Sequence, residues 1–228
     1  MKLALTATPS VARFAPIVLR GEVADAFQMA AELGYQGVEL HLRRPGDIDR
    51  AAVKRLMGDY GRSVPTIGTG MAAGEDGLTF TDPDLHIRMQ TTDLVKEQIE
   101  LACELGSAVT IGLIRGRIGN DPASRDINRG RLLEGLEEVS EAAKSSGVTI
   151  LLEPLNRYEC DNINTVEECL SVIRQLGASN IQVLADTFHM NIEEVDIAAS
   201  LRAAGAMLGH VHLVDTNRQV PGHGHLDV

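Results

Sequence analysis

Three polar residues end three apolar runs in the second half of the chain. Glu153 follows the run in VTILLEPLNRYE, Asp186 closes IQVLAD, and His212 lies in GHVHLVD. Side chains alternate along a strand, so His210 and His212 share one face. Two carboxylates and an imidazole suit a hard or borderline divalent cation, and Mn²⁺, Mg²⁺, Co²⁺ and Zn²⁺ all meet that description. Each residue alone would read as a strand-end polar group bonded to a loop. Three on consecutive strands instead read as one metal site. His189 stands three residues beyond Asp186 and is placed to face the same mouth. His210 sits deeper and reads equally as a satisfied core histidine or as support for a ligand. Glu39 and His41 end an earlier strand, where a surface role and a pocket role weigh the same. By spacing alone, Glu159, Arg218, His223 and His225 are solvated loop residues, and Cys160 is a loop filler.

The elements that must position these groups follow a cadence. A helical stretch ends in glycine and a short apolar run follows, as in AAELG-YQGVEL, ACELG-SAVTIGL and AKSSG-VTILLE. Gly34, Gly61, Gly106, Gly147, Gly177 and Gly205 take the place just past a helix end, where a left-handed residue without a Cβ is favoured. The runs are rich in Val, Ile and Leu, as in parallel strands buried on both faces. Seven strands are expected: Lys2–Ala7, Gly37–Leu40, Val64–Gly68, Ala108–Leu113, Thr149–Pro154, Ile181–Asp186 and Gly209–Val214. Between them, Val23–Leu33 and Leu132–Ala143 carry helical periodicity, and Thr165 before Glu167 and Glu168 reads as a capped helix start. Alternating strands and helices imply a parallel α/β fold. Seven repeats favour an eight-stranded TIM (β/α)8-type barrel over an open doubly wound sheet. No G-x-G-x-x-G follows the first strand, so dinucleotide binding has no support. Residues 215–228 are too few for a further helix and an eighth strand. The expectation is one barrel domain over residues 1–228, incomplete at its C-terminus and lacking the last β/α unit. Its first and seventh strands would keep open edges.

Bulk properties narrow the partners. The formal net charge is −11 and no Lys/Arg cluster offsets it, which argues against nucleic acid. Aromatics are 3% of the chain, with no Trp, so there is no stacking platform for single strands. Cys103, Cys160 and Cys169 form no C-x-x-C pair, so neither a disulfide framework nor a thiolate zinc site is expected. Reduced cysteines point to the cytoplasm. No run is long and apolar enough to span a membrane. The start, MKLALTATPSVARFAP, is interrupted by Thr, Pro9, Ser10 and Arg13 and reads as a first strand rather than a signal peptide.

Three segments carry a resemblance: EPLNRYECDNINT, DTFHMNIEE and GHVHLVDTNRQVPGHGHLD. In order and spacing they resemble the D-tagatose 3-epimerase and D-allulose (psicose) 3-epimerase group, within the xylose-isomerase-like TIM-barrel superfamily. The resemblance implies that Glu153 is a metal-bound glutamate exchanging a proton with a ketose, and that Asp186 and His212 are further ligands, most often of Mn²⁺. It implies that His189 and Arg218 hold ketose oxygens and that Glu159 contacts the substrate from a loop. It also implies a second catalytic glutamate on a last strand, beyond this sequence; His223, His225 and Asp227 are poor substitutes. A homo-oligomer is compatible with it. Three other readings remain: an aldose–ketose isomerase like hydroxypyruvate isomerase, a metal-binding barrel impaired in catalysis, and an endonuclease IV-like repair enzyme. The last is disfavoured by TIGTGMAAG and IGLIRGRIG, which lack the histidines such enzymes place on early strands.

Overall fold

A computed structural model describes residues 1–10 and 17–226. Among the described residues, eight strands form one all-parallel sheet: β1 (Ala4–Thr8), β2 (Leu19–Arg20), β3 (Gly37–His41), β4 (Thr66–Gly68), β5 (Ala108–Ile111), β6 (Ile150–Leu152), β7 (Ile181–Asp186) and β8 (Leu208–His212). Their spatial order is β2-β1-β3-β4-β5-β6-β7-β8. The sheet curls into an open TIM-type barrel with the helices outside. Glu39 on β3 therefore reaches His210 and His212 on β8, although these strands lie far apart in the sheet order.

All seven expected strands form; Ile181–Asp186 keeps its bounds, Gly37–Leu40 extends to His41, and the others shift or shorten by one or two residues at an end. The run after β5 leaves the sheet because Leu113–Arg115 turn as a 3₁₀ helix. Two expectations need correction. The outer edge of β1 is not bare, because Leu19–Arg20 pairs with Ala7 and Thr8 in parallel. Nor is every strand buried on both faces. Strand β8 alternates between partly buried and exposed residues, with Val211 at 40% exposure. Among the described residues β8 pairs only with β7, so no second neighbour or covering helix removes that face from water.

The main helices are α1 (Val23–Glu32), α2 (Arg50–Tyr60), α3 (Gly70–Asp76), α4 (Leu85–Leu105), α5 (Pro122–Ser145), α6 (Val166–Leu176), α7 (Thr187–Glu193) and α8 (Ile197–Ala204). Asp side chains accept from first-turn N–H groups of α2, α4, α5, α7 and α8. Thr165 and Glu168 form a reciprocal capping box on α6. The six cadence glycines all have positive φ, between 50° and 78°. One apolar core joins strands and helices, with Val38, Leu40, Ile67, Val109, Ile150 and Val183 all fully buried.

Two glycines of α5 have opposite packing. At Gly135 a Cβ would meet the Phe80 ring at 2.7 Å, whereas at Gly130 nothing lies within 4 Å. Gly135→Ala should lower stability by about 1–3 kcal/mol through overpacking. Gly130→Ala should raise it by about 0.5–1 kcal/mol through helix propensity. Urea unfolding of both variants measures the difference.

Candidate metal centre and substrate pocket

Strands β6, β7 and β8 deliver Glu153, Asp186 and His212 to the carboxyl end of the barrel. Asp186 is paired in register with His212. The His212 Nδ1 atom lies 3.2 Å from Glu153 Oε1 and 3.7 Å from Asp186 Oδ2. One ligand atom from each of the three residues falls within 4.8 Å of the others. Glu153 and Asp186 are buried and His212 is partly buried.

Local structure fixes each group. Asp186 caps α7, with Oδ1 accepting the Phe188 N–H at 2.7 Å, which leaves Oδ2 for the cluster. Glu153 leans over Gly112, where a Cβ would meet its Oε2 at 2.6 Å. Its backbone carbonyl accepts from Arg115 Nη1 at 2.6 Å. Arg115 is fully buried and also binds the carbonyls of Gly112, Asn162 and Ile163 and the Asn162 side chain. It pins the loop after β6 to the turn after β5. Nothing in the IGLIRGRIG spacing distinguished this arginine from a surface charge.

A second layer lies beside the cluster. Glu39 is 2% exposed, and its carboxylate meets three imidazoles: His41 at 2.8 Å, His212 at 2.9 Å and His210 at 3.0 Å, each through Nε2. The surface alternative for Glu39 is therefore excluded, and His210 is partly buried and bonded to Glu39, as both of its readings require. Burial alone would raise the Glu39 carboxyl, but the three histidines outweigh it and hold it well below its ordinary value. Burial likewise works to lower the His212 imidazole. Glu39, Asp186 and Glu153 outweigh that and hold it well above its ordinary value. Asp186 is lowered against burial by His212, His189 and the Phe188 N–H. Three carboxylates around one imidazole make a strongly cation-attracting pocket of oxygen and nitrogen donors. That donor set fits a hard or borderline divalent ion.

The remaining candidate residues form one wall. Asn156 donates to His189 Nδ1 from its backbone N–H at 3.2 Å and from its amide at 2.7 Å. A backbone N–H can only donate, so Nδ1 accepts from Asn156, while Arg218 Nη2 lies 3.4 Å from the other nitrogen, Nε2. That Nε2 lies 3.9 Å from Asp186 Oδ2 and faces the site. Asn156 also donates to Glu159 Oε1 at 3.0 Å, and Arg218 Nη2 donates to the same oxygen at 2.7 Å. The Arg218 guanidinium lies 4.1 Å over the Phe188 ring. Glu159 and Arg218 are thus a pair and not two independent surface charges. Asn156 was not singled out in the sequence; its Asx turn onto the Tyr158 and Glu159 N–H groups was the available signal.

Arg218 has φ 60° and rides on a loop organised by Asp215. The fully buried Asp215 carboxylate accepts from the backbone N–H groups of Thr216, Gly222 and Leu226. His223 and His225 belong to this loop, with His225 bonded to Thr216 and the His223 carbonyl to Asn217, and neither joins the cluster. Asp227 lies outside the described residues. Cys160 is buried, with its thiol against the Gly116 carbonyl.

Residues 27–228 match the model of the family described as xylose isomerase-like TIM barrel. Among curated proteins, the chain is 44% identical over 167 residues to a D-psicose 3-epimerase of Enterocloster bolteae, covering 72% of the chain and 54% of that protein. It is 31% identical over 198 residues to an L-ribulose 3-epimerase of Mesorhizobium japonicum, covering 86% of the chain and 65% of that protein. The chain therefore spans between half and two thirds of the length of these relatives. A solved 3-keto-D-glucoside 4-epimerase from E. coli, in apo form, superimposes with a TM-score of 0.82 at 26% identity, covering 100% of the chain and 84% of that structure.

Burial works to raise the Asp215 carboxyl, but the surrounding backbone N–H groups prevail and hold it far below its ordinary range. A carboxyl lowered on folding stabilises its loop above the unfolded pKa of about 3.9, and the effect is lost only as pH falls through the folded value. Protection of the Gly222 and Leu226 amides should therefore be flat between about pH 5 and 8. Asp215→Asn replaces an acceptor with an NH₂ facing donors. Amide exchange at those two positions should accelerate about tenfold or more in that variant.

Proposed function

The chain belongs to the xylose isomerase-like TIM barrel family, and on that footing we propose that it is a metal-dependent sugar epimerase acting at carbon 3 of a ketose. The convergence of Glu153, Asp186 and His212 beside the His189–Glu159–Arg218 wall carries the reading. Glu153, Asp186 and His212 would hold the ion. Mn²⁺ is our choice, and Mg²⁺, Co²⁺ or Zn²⁺ suit the same donors. When bound, the ion supplies Lewis acidity that stabilises the enediolate left when a proton departs next to a ketone.

The chain's own residues do the rest. The Glu153 carboxylate takes the proton from carbon 3 on one face of the sugar. His189 turns its Nε2 toward a substrate oxygen, with the ring held by Asn156 on Nδ1. Arg218 donates to a second oxygen, and Glu159 accepts from a hydroxyl while keeping Arg218 in place. Inversion needs an acid on the opposite face. We assign that acid, and the strand that would pair with β8, to chain beyond residue 228, so that residues 1–228 form most of a single barrel domain. The open edge of β8 and the greater length of the relatives support this assignment.

A small-molecule ketose is the proposed partner, and nucleic acid is not, given the net charge of −11. No helix among the described residues is long and apolar enough to cross a membrane. Three free cysteines support a cytoplasmic setting. Association into a homo-oligomer is compatible with the exposed Val211 on β8 and Leu213 just after it. The likeness to the E. coli structure favours one second reading, epimerisation at carbon 4 of a 3-keto-glycoside, which uses the same proton abstraction beside a ketone.

The test is incubation with Mn²⁺ in D₂O with ketohexoses, ketopentoses and a 3-keto-glucoside, read by NMR. Deuterium should enter carbon 3 of a free ketose. EDTA should stop exchange, and Glu153→Gln should lower its rate by about 10²–10⁴-fold with the fold intact. Wild-type exchange rates in that variant would sink the assignment of Glu153. Label at carbon 4 of the keto-glycoside would favour the second reading. An aldose–ketose pair would identify an isomerase, and bound metal without exchange an impaired barrel.

A further inference from the structure

Glu39 is outside the proposed ligand set, yet it is more deeply buried than any ligand. We propose that Glu39 is the positioning residue that holds His212 in one tautomer and one ring orientation, so that Nδ1 is the nitrogen offered to the metal ion. The inference rests on the reading of Glu153, Asp186 and His212 as the ligands.

The two nitrogens of His212 face different carboxylates. Nε2 lies 2.9 Å from Glu39 Oε1, and Nδ1 lies 3.2 Å from Glu153 Oε1 and 3.7 Å from Asp186 Oδ2. A neutral imidazole has one N–H and one lone pair, and an ionised carboxylate can only accept. A hydrogen on Nε2 satisfies Glu39 and turns the lone pair toward the cluster. The opposite tautomer would put a hydrogen where the cation must sit and would leave the Glu39 oxygen facing a lone pair. With Glu39 at 2% exposure, no bulk water compensates that loss. A carboxylate behind a metal-bound histidine raises the ligand's basicity and fixes its direction.

Glu39 is itself held. His41 Nε2 reaches Oε1 at 2.8 Å and His210 Nε2 reaches Oε2 at 3.0 Å, so both oxygens are engaged. The His41 ring packs against Gly68 of β4, where a Cβ would meet its Nδ1 at 2.6 Å. Glu39 and His41 share one face of β3, as His210 and His212 share one face of β8. The arrangement leaves the carboxylate little freedom to rotate away from His212.

The test uses the full chain freed of metal. Mn²⁺ binding is followed by the electron spin resonance signal of free Mn²⁺, and the Zn²⁺-loaded protein is studied by ¹⁵N–¹H correlation of its histidine rings. Wild type should bind one Mn²⁺, and His212 should carry its hydrogen on Nε2 in the Zn²⁺ form. Glu39→Gln should weaken Mn²⁺ binding about 10–100-fold, with the single-tautomer signature lost. Mn²⁺ affinity within twofold of wild type in a folded Glu39→Gln variant would overturn the proposal. So would a hydrogen on Nδ1 in Zn²⁺-loaded wild type, a result that does not depend on any variant folding. Two Mn²⁺ per chain, with the second lost in Glu39→Gln, would make Glu39 a ligand and overturn it as well. The variants Glu153→Gln and Asp186→Asn separate the two levels of inference. If they abolish binding while Glu39→Gln does not, only the positioning role fails. If they bind Mn²⁺ like wild type, the ligand assignment beneath it fails.

Discussion

A buried carboxylate spans the interior of this barrel. Glu39 leaves β3, crosses to β8 and there meets His210 and His212. A carboxylate at that depth is costly unless its oxygens are engaged, and three imidazoles engage them. The contact ties an early strand to the last described one, which hydrogen bonding in the sheet leaves unconnected. The orientation of His212, and with it the geometry of the strand-end cluster, follows from this contact.

Charge in the site is arranged in two layers around His212. Glu39 lies on one side of the ring, and Glu153 and Asp186 on the other. Each carboxylate is also held from behind by groups with no part in the proposed chemistry. Asp186 is held by the first turn of α7, Glu153 by the bare backbone of Gly112 and by Arg115 on its carbonyl, and Glu39 by His41 and His210. Such backing makes a site precise, because a ligand with one competent rotamer loses little freedom when the ion arrives. The wall of His189, Glu159 and Arg218 is built differently. Asn156 and the Asp215 loop hold it; Glu159 and Arg218 are more exposed, as suits groups that meet a substrate arriving from solvent, while His189 is buried.

Parallel strands place their carboxyl ends on one face, and a barrel turns that face into a ring. Strands β6, β7 and β8 use it for ligands. Strand β4 ends in Gly68 and β5 is followed directly by Gly112, and these two glycines make room for His41 and Glu153. Glycine at these two places is thus part of the site, although neither residue offers a functional group.

By itself the sequence determined the alternation of strands and helices, the glycine helix ends and the strand-end placement of Glu153, Asp186 and His212. These are local properties: apolar runs, the left-handed backbone after a helix and period-two alternation all act within a few residues. The capped helix start at Thr165 was legible for the same reason. The tertiary structure alone decided that Glu39 is a buried partner of three histidines, that Arg115 is fully enclosed, that Asn156 donates to His189 Nδ1 and that Glu159 pairs with Arg218. It also decided that Leu19–Arg20 borders β1. Each of these joins residues far apart in the chain, and a charged side chain reads the same in sequence whether water or a buried partner satisfies it. Only the curl of the sheet brings β3 against β8, and so only the folded chain distinguishes a surface glutamate from the one that holds His212.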